Sequence, residues 1–177
     1  MTKPLPKAAP KNKKKINVQK LSKVFIDVSF AKEVNKKDSY ENREEAEAVA
    51  DYLVAYCESK DPKKIAVMSP FRTQALVIKN VILEERKDDL PKSLRGFGAI
   101  GSFEDFVSCQ YETVIVSLCK TESDAVMQKP MLSSAQVIAF LKSRVSLDTS
   151  DPKIVVIGKA ASLPSEWRKE FLEDKET

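Results

Sequence analysis

Histidine does not occur anywhere in the 177 residues. Its absence excludes every catalytic triad, metal site and general base that depends on an imidazole. Glycine is nearly as scarce, with four residues, and no Gly-x-x-x-x-Gly-Lys-Ser/Thr loop is present to cradle a phosphate chain. The three cysteines, Cys57, Cys109 and Cys119, form an odd set without paired spacing, so free, packed thiols are expected. Zinc would have to be held by cysteine and carboxylate alone, and no such spacing exists, so no metal ligand is assigned. No apolar run reaches the length of a membrane span. The start of the chain lacks the apolar segment of a signal peptide. A cytoplasmic or nuclear protein without a membrane partner is expected.

What is present is charge, unevenly placed. The formal net charge is +4, yet residues 1–24 hold eight lysines and no acid, which leaves 22 basic against 26 acidic residues in the remainder. Pro4, Pro6, Pro10 and the mutual repulsion of the lysines predict a disordered basic tail over 1–22. A single domain should fill 23–177. The tail lysines Lys11, Lys13, Lys14 and Lys15 are candidates to hold an RNA or DNA backbone, which requires charge but no reading of bases. The competing reading is a solvated tail with no specific task.

Periodicity organises the rest. VFIDVSF at 24–30, KIAVMS at 64–69, GFGAIG at 96–101, TVIVSLC at 113–119 and KIVVIGK at 153–159 read as strands, rich in β-branched residues and apolar on both faces. AKEVNKKDSYE at 31–41 reads as a loop. Asn42 followed by Glu45 reads as a capping box that opens a helix to about Lys60, with Ala46, Val49, Ala50, Leu53 and Cys57 facing inward. Ser69 with Pro70 reads as the cap of a second helix to about Lys87, its inner face Ala75, Ile78 and Ile82. TESDAVMQKPMLSS is a long loop, 134–147 a third helix, and Ser165 caps a short last one. Such alternation predicts an α/β fold, a three-layer sandwich around a mainly parallel sheet, with chemistry at the strand ends.

Three segments also carry a resemblance. Ser39-Tyr40-Glu41-Asn42-Arg43-Glu44-Glu45-Ala46, IAVMSPFRTQ at 65–74, and FLKSR with IVVIGK and Trp167 occur in the order and spacing of the C-terminal RecA-like domain of upframeshift- and senataxin-type superfamily 1 helicases. The resemblance covers about residues 24–173. It implies a RecA-like fold and a relation to ATP-driven movement on RNA or DNA. The departures fall on functional groups. Where the family has Val-Asp-x-Phe-Gln-Gly-x-Glu, this chain has Phe103-Glu104-Asp105-Phe106-Val107-Ser108-Cys109-Gln110. Counting back without gaps from IVVIG, the arginine that meets the γ-phosphate in the family becomes Thr149, and Arg144 lies five residues away. The phosphate loop and magnesium-binding aspartate belong to the other RecA-like domain of such proteins. ATP and magnesium are therefore expected only if a partner domain completes the site, and no catalytic residue is assigned.

The candidate contacts follow. Ser69, Arg72, Gln74 and Arg144 are candidates for phosphate or nucleotide. Phe103 and Phe106 are candidates to stack on bases, against a competing role in the core shared with Tyr40 and Phe71. Glu104 and Asp105, adjacent on an extended segment, point apart and suit an acidic loop better than paired catalysis. Cys109 has no base to activate it. Three functions are open: a degenerate, inactive half-domain that binds a protein partner in RNA processing, an RNA- or DNA-binding accessory domain, and one half of an ATP site completed by a partner chain.

Overall fold

The computed structural model describes residues 20–28, 34–36, 39–95, 97, 99–119, 134–160, 163 and 165–173. The basic tail up to residue 19, with Lys11, Lys13, Lys14 and Lys15, and most of the loop predicted at 121–134 lie outside the described residues.

Five strands form an all-parallel sheet: β1 (Ser22–Asp27), β4 (Ile65–Ser69), β5 (Ile100–Ser102), β6 (Thr113–Ser117) and β7 (Lys153–Gly158). Their order is β1-β7-β6-β4-β5. Every residue of β4 and β6 is buried, as expected for strands covered on both faces. Helices α1 (Arg43–Tyr56) and α2 (Arg72–Asn80) cover one face, where Val49, Leu53 and Ile78 pack on Val67, Ile115 and Val155. Helices α3 (Ser134–Ser143) and α4 (Ser165–Arg168) cover the other, where Leu141 and Trp167 pack on Met68, Val116 and Val156. This is the α/β arrangement expected from the sequence. None of the helices among the described residues is long and apolar enough to cross a membrane.

Three local expectations are corrected. The segment 31–41, expected to be a loop, holds the antiparallel pair β2 (Val34–Lys36) and β3 (Ser39–Glu41). Its polar composition masks it, because the pair lies outside the main sheet and shows no apolar alternation. The second helix starts two residues later than expected: Phe71 is its cap residue, and Ser69 Oγ instead accepts from the Phe71 N–H at 3.2 Å. Ser69 therefore shapes a turn rather than capping a helix. Finally, Cys57 and Cys119 are buried but Cys109 is exposed, because it falls in the fully exposed run 107–110. Burial pushes the Cys57 thiol up to about 11.

Candidate functional site

The parallel sheet determines where a site can form. The connection from β4 to β5 runs through α2 on one face, and that from β6 to β7 runs through α3 on the other. The chain thus changes direction between β4 and β6, and a crevice is expected beyond the carboxyl ends of these two strands. Ser69 and Ser117 end the two strands, and Gln74 stands in the first turn of the adjoining α2.

That crevice is filled from within. The Gln74 side chain grips the backbone of Asn42 from both sides: its Oε1 accepts from the Asn42 N–H at 2.7 Å, and its Nε2 donates to the Asn42 carbonyl at 2.8 Å. Nε2 also donates to Ser117 Oγ at 3.1 Å. Ser117 Oγ donates in turn to Glu45 Oε1 at 2.8 Å, which also accepts from the Cys119 N–H at 2.9 Å. Asn42 Nδ2 donates to the Cys119 carbonyl at 3.1 Å. Asn42, Glu45, Gln74 and Ser117 are all fully buried. Asn42 does cap α1, since its Oδ1 accepts from the Glu45 N–H at 3.1 Å. The Glu45 carboxylate, however, reaches β6, and Gln74 takes the N–H that a capping box would give to it. Cys119 lies at φ 70°, a left-handed conformation unusual for a residue with a side chain. Bonds to both its N–H and its carbonyl hold it there.

The second feature is the turn after β5. Ser102 and Asp105 form a reciprocal cap around residues 103–105, with Asp105 Oδ2 2.9 Å from the Ser102 N–H. On one side, Glu104 meets Arg72 at 3.3 Å, both side chains being largely exposed. On the other, Arg144 Nη1 donates to the Phe106 carbonyl at 3.1 Å, and its guanidinium lies over the Phe140 ring at 5.5 Å. Phe103 packs on Phe140 with centroids 5.4 Å apart. Phe106 is buried and Phe103 half-buried. Tyr40 and Phe71 pack edge to face at 5.3 Å.

The structure thus gathers Arg72, Phe103, Phe106 and Arg144 around one turn. It places Ser69 and Gln74 inside the protein, bonded to their own chain. Counting without gaps put Thr149 where a phosphate-sensing arginine belongs. Helix α3 ends at Ser143, and the guanidinium next to the turn is that of Arg144. Thr149 Oγ1 donates to the Ser146 carbonyl at 2.8 Å, closing its own loop. Sequence reasoning missed the partners of Glu45. The signal was a carboxylate in the first turn of an otherwise inward-facing helical stripe.

Gly101 makes the turn testable. A Cβ there would lie 2.5 Å from Asp105 Oδ2 and 3.1 Å from the Asp105 Cβ and Cγ. Gly101→Ala must therefore push Asp105 off Ser102, at a cost of about 1–2 kcal/mol, the range for a lost cap. In an Asp105→Ala background the same change should cost distinctly less, since only the 3.1 Å approach to the residue-105 Cβ remains. Urea titration of the two single variants and the double variant checks this. Equal costs in both backgrounds would place the strain elsewhere.

Comparison with known proteins agrees with this geometry. The family described as "AAA domain" matches residues 3–159. The chain is 27% identical over 150 residues to the Gallus gallus protein named "Putative helicase MOV-10". That alignment covers 76% of this chain and 15% of the relative, so the chain corresponds to a small part of that protein.

Proposed function

The chain belongs to the AAA domain family as a helicase-like domain of the upframeshift and senataxin type, and from that premise we propose that it is a degenerate RecA-like half-domain. It does not hydrolyse ATP by itself and acts as a protein-interaction module in the processing of RNA or other nucleic acid. The observation that carries this reading is the state of the candidate contacts. The Ser69 hydroxyl, the Gln74 amide, the Thr149 hydroxyl and one arm of the Arg144 guanidinium are each bonded to the protein's own chain. Gln74 and Thr149 would have to break those bonds to donate to a nucleotide, and breaking a buried one costs about 1–3 kcal/mol, whereas Ser69 keeps its O–H and Arg144 its other N–H groups. The sequence also supplies no phosphate loop of its own, so ATP and magnesium would need a partner domain.

A second reading rests on a specific observation: Arg72 is 71% exposed beside the half-buried Phe103, where a single strand could pair a phosphate with a stacked base. The tail lysines Lys11, Lys13, Lys14 and Lys15 would then add charge that is independent of sequence. One set of titrations separates the two readings. With a fluorescent ATP analogue and magnesium, the first reading expects no saturation below about 1 mM, weaker than about −4 kcal/mol of binding. Single-stranded RNA should bind only at low salt and be lost when the four lysines become alanine. RNA binding that survives their removal and is lost with Arg72→Ala would favour the second reading, and micromolar nucleotide binding would overturn the first.

A further inference from the structure

The last turns of α2 build a pocket that none of the preceding argument uses. Residues 81–85 widen into a π turn, closed by the Arg86 N–H on the Val81 carbonyl at 2.9 Å. Such widened turns recur at functional sites. The chain then folds back through a short turn at Lys92–Leu94. Between the two lies a cavity of about 280 Å³ with Ile82, Leu83, Leu90 and Leu94 on its floor and Lys87, Asp88 and Arg95 at its mouth. Earlier on the same helix, Leu76 is 59% exposed. Leu76 and Lys79, three residues apart in α2, bring their side chains to one side of that helix. Lys79, Lys87 and Arg95 are exposed, and among the described residues none of the three has an ion-pair partner.

We propose that this pocket docks an acidic peptide segment of another protein. A large apolar side chain enters over Leu90 and Leu94, and carboxylates on either side meet Lys79, Lys87 and Arg95. Three arguments select this occupant. The volume falls just below the roughly 300–1,000 Å³ of small-molecule sites, yet it has room for one large side chain. The floor is made of leucine and isoleucine side chains that offer no polar atom to orient a cofactor, and it suits an apolar anchor. The charge at the mouth is Lys87 and Arg95 against Asp88, a net positive rim that complements an acidic flank. A nucleic acid strand would gain nothing from a floor of leucines. The inference deepens the interaction-module reading by naming a surface and the chemistry of its partner.

The test uses the full chain, labelled with nitrogen-15, and the synthetic peptide Asp-Glu-Leu-Asp-Asp-Leu-Leu-Glu. Amide signals of Leu83, Leu90 and Arg95 should move on titration. Lys79→Glu, Lys87→Glu and Arg95→Glu together should weaken binding by about tenfold or more, because like charges then face each other, and Asp88→Lys should strengthen it. All four positions are exposed, so the fold is expected to survive, and unchanged dispersion of the other signals checks that. A peptide with serine for leucine should not bind. The proposal is overturned if the triple variant binds equally well or the serine peptide binds as tightly. It is also overturned if single-stranded RNA moves the same signals, or if they move with protein concentration alone, which would mark a contact between copies. A chain that hydrolyses ATP unaided would end the inactive-module reading and leave this titration to be judged on its own result.

Discussion

Gln74→Met is expected to lower the free energy of unfolding by about 2–4 kcal/mol, the largest effect of any single polar substitution at the strand ends. Methionine matches the length of glutamine and fills its space, so packing is preserved. What is lost is the grip on Asn42. The Asn42 N–H, engaged by Gln74, would be buried without a partner at a cost of about 1–3 kcal/mol, and the Asn42 carbonyl would lose the Gln74 amide and keep only the Ala46 N–H at 3.2 Å. Ser117 Oγ would lose a donor as well. Against a total stability of about 5–15 kcal/mol for an ordinary domain, this is a large fraction. Thr73→Val, one position earlier, removes the half-buried bond to the Tyr40 carbonyl and should cost about 1 kcal/mol. Urea unfolding of both variants decides the point. If Gln74→Met costs no more than Thr73→Val, Gln74 is not a structural tie, and its role as a ligand contact returns.

The second large effect is expected in the opposite layer. Trp167 is completely buried and stacks on Phe171 with centroids 5.7 Å apart, so Trp167→Ala should cost about 3–5 kcal/mol. Trp167→Phe should cost far less. The indole Nε1 has no hydrogen-bond partner among the described residues, so phenylalanine removes a donor that does not contribute a bond there. Thermal unfolding of the pair is informative about α4. Near-equal losses would show that the indole N–H is bonded after all, and a small loss in both would show that α4 packs only loosely on the sheet.

The two results bear on what could be read before the fold was known. The strand β6 and the inner face of α1 were legible because burial on both faces, or on one stripe, imprints a local period on the sequence. Asn42 was legible as a cap for the same reason, since its bond to the Glu45 N–H spans three residues. The role of Glu45 was not, because its partners Ser117 and Cys119 lie 72 and 74 residues away, and nothing local distinguishes a carboxylate reaching across a sheet edge from one closing a capping box. Ser69 was misplaced because a hydroxyl before proline fits a helix cap and a turn equally well. That Arg144 stands next to the turn after β5 could not be read from a count along the chain, because its bond to the Phe106 carbonyl spans 38 residues. The β2–β3 pair left no mark because its sequence shows no apolar alternation.

Glu45, Asn42 and Gln74 also explain why family-like residues can persist where chemistry is proposed to be lost. They hold together α1, α2 and the turn after β6, a structural task that does not depend on a ligand. A domain can keep these residues for its fold and still lack the groups that act on a phosphate.

Turnover of ATP by the purified chain alone, with magnesium and with or without single-stranded RNA, tests this account most directly. The account predicts phosphate release no faster than in buffer, and no increase when Thr149 is replaced by arginine. Release that rises with protein concentration, saturates with ATP and falls when Arg144 is replaced by alanine would contradict it, because it would mean that the guanidinium now held on the Phe106 carbonyl serves an active site.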